Sequence, residues 1–149
     1  MTRPVNNRAI QLAEEHQHSQ SVTYPTDISA PITLTGGAAA NQAGSWTQII
    51  AGGTLSSEYD VHYASIEVPA NGTYGIEFSH GAGNTPCGEL PPINRDAAVT
   101  SFSGVPVTTG DDDHQLIPPA DALFARVRSA AGGAQTVDIF VSVHHYASA

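Results

Sequence analysis

The chain has 149 residues, enough for one domain with a real core, and is 40% hydrophobic but only 13% charged, with a formal net charge of −9. All of its basic residues are arginines, so few cations are available to neutralise phosphates, which argues against nucleic acid and anionic membranes as partners. No stretch approaches the roughly 18 apolar residues of a membrane-spanning helix, and Cys87 is the only cysteine, so no internal disulfide can form.

The opening MTRPVNNRAIQLAEEHQ is polar and lacks the apolar segment of a secretory leader, so synthesis in a reducing cytoplasm is expected. Within it, Val5, Ala9, Leu12, Ala13 and His16 recur at helical spacing, with Ile10 beside them, and predict one helix over residues 3–18. Thr2 is its candidate cap, and Pro4 is tolerated in a first turn. The apolar stripe is thin, so this helix needs a neighbour to lie on. Residues 19–45 carry Pro25, Pro31 and a Gly/Ala-rich tail, which predict an extended arm with a short edge strand at Ile32–Thr35. The first 45 residues thus read as a helix plus arm, separate from a body over residues 46–149.

From Trp46 onward the pattern changes to strands, at 46–51, 58–69, 73–80, 97–104, 121–130 and 135–146. Gly52-Gly53, Asn71-Gly72, GAGNTPCGELPP, DDDHQLIPP and Gly132-Gly133 separate them. Asn71-Gly-Thr73, although it matches a glycosylation sequon, reads as a turn. Residues 68–73 are expected to close a hairpin. Many antiparallel strands in a chain rich in glycine and proline predict a mostly β fold, an antiparallel β-sandwich or jelly roll.

A second hairpin is predicted between 121–130 and 135–146. Leu123, Ala125 and Val127 alternate with Phe124, Arg126 and Arg128; Val137, Ile139, Val141 and Val143 alternate with Asp138, Phe140 and Ser142. A three-residue loop, Ala131-Gly132-Gly133, would set Val127 beside Val137 and Arg126 beside Asp138, with Phe124 beside Phe140. Such cross-strand pairs contribute up to about 1 kcal/mol each.

Candidate chemistry is sparse. His144 and His145 are neighbours in a strand, so they point to opposite faces and cannot readily share one metal ion; they read as strand-end histidines at a barrel mouth or subunit contact. His62 and His80 also sit in strands and can approach one of them in the fold. His16-Gln-His18 has the spacing of a cupin metal pair but lacks the following glutamate and lies in the predicted helix. Asp111-Asp-Asp113-His114 lacks the alternating spacing of a calcium loop and reads as a solvated loop. In GAGNTPCGELPP, Pro86 stands where a dinucleotide fingerprint needs its third glycine, and Cys87 reads as a loop thiol. No G-x-S-x-G elbow is present. The face combining Phe124, Arg126, Arg128, Phe140 and Tyr146 has the aromatic and arginine content of an oligomer contact.

The stretch LIPPADALFARVRSAAGGAQTVDIFVSVHHY, residues 116–146, resembles the endings of small structural proteins of tailed-phage virions. The likeness rests on an arginine-bearing strand, a small-residue Gly-Gly turn, a TVDI strand and a terminal His/Tyr pair. It implies a capsid decoration (cement) protein, or a related head or neck component, with no catalytic residues, cofactor or metal. The implied partners are the major capsid protein or other virion subunits and further copies of the chain, a homotrimer by preference, on the capsid surface. Candidate contact residues are Val5, Ile10, Leu12, Tyr24 and Ile32 in the helix and arm, and Phe124, Arg126, Phe140, His144 and Tyr146 in the body. The alternatives are a carbohydrate- or receptor-binding β-module of a fibre, tail or neck and, less favoured, a cupin-like metal enzyme.

Overall fold

The computed structural model describes residues 20–97, 99–108 and 116–146. The expected helix with Val5, Ile10 and Leu12, the His16/His18 pair and the Asp111–His114 run lie outside the described residues. The described chain forms β1 (Gln20–Tyr24), β2 (Ile32–Thr35), β3 (Thr47–Ile50), β4 (Tyr59–Glu67), β5 (Gly72–His80), β6 (Thr85–Glu89), β7 (Ile93–Arg95), β8 (Ser101–Pro106), β9 (Leu123–Ser129) and β10 (Thr136–His145).

These strands make two antiparallel sheets packed face to face. Sheet A runs β1-β10-β4-β8, with β2 continuing the β1 edge along β10; sheet B runs β3-β9-β5-β6, with β7 continuing the β6 edge along β5. Most of the ladders nest like a ribbon rolled on itself: β1 and β2 pair with β10, β3 with β9, β4 with β8, and β5 with β6 and β7. This is a jelly-roll connectivity. The β4–β10 and β5–β9 ladders complete the two sheets.

Alternation decides which residues enter the core. Val137, Ile139, Val141 and Val143 of β10, with Leu34, Val61 and Ile66, face Tyr74, Ile76, Phe78, Leu123, Ala125 and Val127 of the opposite sheet. All are at most 5% exposed, and each of the valines, leucines, isoleucines and the phenylalanine contributes on the order of 1.5–3 kcal/mol of apolar burial.

Neither expected hairpin forms. β9 belongs to sheet B and β10 to sheet A, so Val127 lies beside Ile76 rather than Val137, and Arg126 beside Glu77 rather than Asp138. The reason lies in residues 36–44, which cross the β9–β10 connection. The Asn41 and Gly44 amides donate to the Ser129 and Val127 carbonyls, and Gly133 and Ala134 donate to Ala38 and Gly37. The Val127 and Ser129 carbonyls are thus turned to residues 36–44 and not to β10. Gly132 has φ +71°, and a Cβ there would come within 2.7 Å of the Ala39–Ala40 backbone. The Gly-Gly pair therefore serves a close backbone approach as well as a change of direction. Residues 68–71 likewise arch from sheet A to sheet B, with the Arg95 Nε donating to the Val68 carbonyl at 3.1 Å.

The arm also differs from expectation. β2 spans the expected Ile32–Thr35, but the described part of the arm is built into the sandwich rather than separate from it. Leu34 is fully buried, and Tyr24 and Ile32 pack against the core. Sequence reading also passed over β1, β6 and β7. Cys87, expected in a loop, is a buried residue of β6. Replacing Leu34 with Ala should cost about 2–5 kcal/mol in denaturant unfolding, the usual range for a buried leucine. A cost near zero would mean that β2 is dispensable to the body.

Candidate functional site

The outward face of sheet A holds the densest functional chemistry. On β10, Asp138, Phe140, Ser142 and His144 point away from the valine stripe and are half-buried. β4 pairs alongside with a register shift: Ser142 faces Tyr63, Val143 faces Val61, and His62 is the extra residue between them. Val61 and Ala64, on either side, are buried in the core, so His62 and Tyr63 share the outward side. Such a bulge re-aims a side chain that strict alternation would turn the other way.

The bulge brings His62 onto His144, their rings 3.7 Å apart between centroids and tilted by 35°. Asp60 lies directly across from His144 and is only 2% exposed. The Tyr146 hydroxyl donates to Asp60 Oδ2 at 2.9 Å. Burial, then that bond and the nearby carboxylate, push the Tyr146 phenol up to about 12. His62 Nε2 stands 3.9 Å from Asp60 Oδ2. His144 Nδ1 is buried with no hydrogen-bond partner among the described residues. One side-chain nitrogen or oxygen from each of Asp60, His62 and His144 lies within 4.8 Å of the others, a spacing a metal ion could draw together.

Further along the same face is an open depression of about 160 Å³, lined by Phe140, Phe102, Glu67, Asp138 and neighbouring serines. Glu67 and Asp138 are directly opposite across the β4–β10 ladder, an unfavourable like-charge pair. A Thr33 hydroxyl donates to Asp138 Oδ1 at 2.6 Å.

The outward face of sheet B is ionic and aromatic. Glu77 accepts from Arg126 at 2.8 Å and from Arg128 at 3.0 Å. The Arg126 guanidinium sits 4.2 Å from the centre of the Trp46 ring, within cation–π range. Phe124 lies on this face, beside Ser79 and Gln48. The expected common face of Phe124, Arg126, Phe140 and Tyr146 is thus corrected. Phe124 and Arg126 lie on one side of the sandwich, and Phe140, His144 and Tyr146 on the other, because β9 and β10 are in different sheets. The opposed directions of His144 and His145 follow the expected alternation. The approach of His62 to His144 is one that the sequence left open, and Asp60 was not singled out at all.

Two other groups have chemical potential. His80 Nδ1 lies 2.7 Å from Asp121 Oδ2, while its Nε2 is buried with no hydrogen-bond partner among the described residues. Tyr59 donates to the Asp121 carbonyl at 3.0 Å, and burial pushes its phenol up.

No protein-family model matches the chain. No curated protein matches it in sequence. Among solved structures, an arabinose-bound α-L-arabinofuranosidase is similar over 85% of this chain and 22% of its own length, with 11% identity and a TM-score of 0.36. That degree of likeness does not establish a shared fold or activity.

Burial pushes the Cys87 thiol up to about 12, so the nucleophilic thiolate is scarce near neutral pH. A soluble thiol reagent should therefore modify Cys87 only as the sandwich opens, with labelling that accelerates in parallel with denaturant unfolding. Labelling of the folded chain at the rate of a free thiol would contradict the buried placement.

Proposed function

We propose that this chain is a non-enzymatic structural protein of a tailed-phage virion, a capsid decoration (cement) protein. Its N-terminal residues grip the head lattice, and its β-sandwich meets further copies, as a trimer. The reading starts from the resemblance carried by residues 116–146. The structural observation that carries it is the outward face of sheet A, where Phe140, His144 and Tyr146 are half-buried and Tyr63 is 44% exposed. A sandwich sheet normally turns polar residues outward, and aromatic side chains are enriched in contact surfaces. Attachment would then come from many weak contacts made simultaneously.

A second reading is a carbohydrate-binding module, favoured by the depression beside Phe140. An aromatic ring flanked by carboxylates and hydroxyls offers both a stacking surface and acceptors for sugar hydroxyls.

Deletion must stop before residue 20, because β1 and β2 are part of sheet A. Removing residues 1–19 should leave cooperative unfolding intact and abolish binding to purified capsids. Phe140→Asp should shift the sedimenting species from trimer to monomer. Undiminished capsid binding by the truncated chain would remove the proposed role of the N-terminus. An unchanged sedimentation profile together with glycan binding that Phe140→Asp abolishes would favour the carbohydrate module.

A further inference from the structure

We propose that Asp60, His62 and His144 form a binding site for one divalent transition-metal ion, with zinc the best match. Two imidazoles and one carboxylate suit zinc, nickel or copper; calcium and magnesium prefer oxygen alone. Three protein ligands leave a fourth position for water or a group from another molecule.

The backbone prepares this arrangement. Asp60 and His144 are paired residues on adjacent strands, so their side chains leave the sheet side by side. His62, two residues on from Asp60, leaves β4 on the same side, at the bulge beside His144. Zinc bonds of about 2.0–2.2 Å at tetrahedral angles need ligand atoms about 3.3 Å apart. The candidate atoms already lie within 4.8 Å of one another, and His62 Nε2 is 3.9 Å from Asp60 Oδ2. The proposed site requires side-chain rotations that open the stacked rings and close the remaining distance.

Two further observations point to a ligand. His144 Nδ1 is buried with no hydrogen-bond partner among the described residues, and a buried polar atom in that state is costly. A metal bond would satisfy it. Asp60, nearly inaccessible at 2% exposure, is held by Tyr146 at 2.9 Å, so one ligand is oriented before any ion arrives. The net charge of −9 favours approach of a cation. His80 offers no comparable set: its close carboxylate is Asp121, and no second imidazole joins the pair among the described residues.

The test is calorimetric titration of the full chain, stripped of metal by chelator, with zinc chloride. One ion should bind per chain at micromolar or lower free zinc, and the melting temperature should rise with zinc. In His62→Ala/His144→Ala the affinity should fall at least tenfold and the rise should vanish. His80→Ala and His16→Ala/His18→Ala should bind like the parent chain. Absence of binding at micromolar zinc, or unchanged affinity in His62→Ala/His144→Ala, overturns the proposal. Should that double variant not fold, X-ray absorption of the cobalt-loaded parent chain decides. Two imidazoles per ion support the site, and a shell of oxygens alone overturns it.

Discussion

The structure depends on β10 being paired along both edges. β4 occupies one edge from Asp138 to His145, and β1 and β2 divide the other between them. With neither edge free, β9 cannot form a hairpin with β10 despite a short connection rich in glycine. It crosses to the opposite sheet, where β3 and β5 hold its own two edges. The valine stripe of β10 then meets β9 across the core instead of beside it. This arrangement buries the apolar residues and also gives the backbone of residues 36–44 hydrogen-bond partners on the β9–β10 connection.

This constraint separates what was legible in the sequence from what was not. Alternation identified the inward and outward residues of β9 and β10, because a period of two is a local property. It could not identify the neighbouring strand, since the same faces result from a hairpin and from an arch. The Gly-Gly pair deepened the ambiguity: glycine marks a tight turn and also a place where another backbone passes. β6 and β7 were hidden by Pro86, Gly88 and Pro91-Pro92, which read as loop. They are short strands that share one edge of β5, and proline is tolerated in an edge strand.

The Asp60/His62/His144 cluster was less legible for a different reason. Strict alternation from Asp60 places His62 on its face, but it then sends Tyr63 and Ser65 inward. The observed strand keeps Asp60, His62, Tyr63 and Ser65 outside the core and turns Ala64 and Ile66 in. One inserted residue reconciles the two halves, and nothing in YDVHYASIE announces where it falls. The partner across the ladder is remote in sequence, so the pairing of Asp60 with His144 emerges only once the roll closes. Alternation set His144 on the face opposite His145, which left its neighbours as the missing information.

Both ends of sheet A's outward face are built on the same two strands. His144 and Asp60 stand at one end; Asp138, Glu67 and Phe140 stand toward the other. From Asp138 to His144 is roughly 20 Å at about 3.3 Å per residue. An ion bound by the histidines would therefore not cover the Phe140 depression, and a partner seated on Phe140 need not displace the ion. The ends also differ in charge: two opposed carboxylates make one anionic, while the imidazoles put nitrogen donors beside a single buried carboxylate at the other. A ladder fixed on both edges holds these two chemistries at a set separation. The face can thus carry an ion site and a contact surface together, with neither arrangement requiring the other to move.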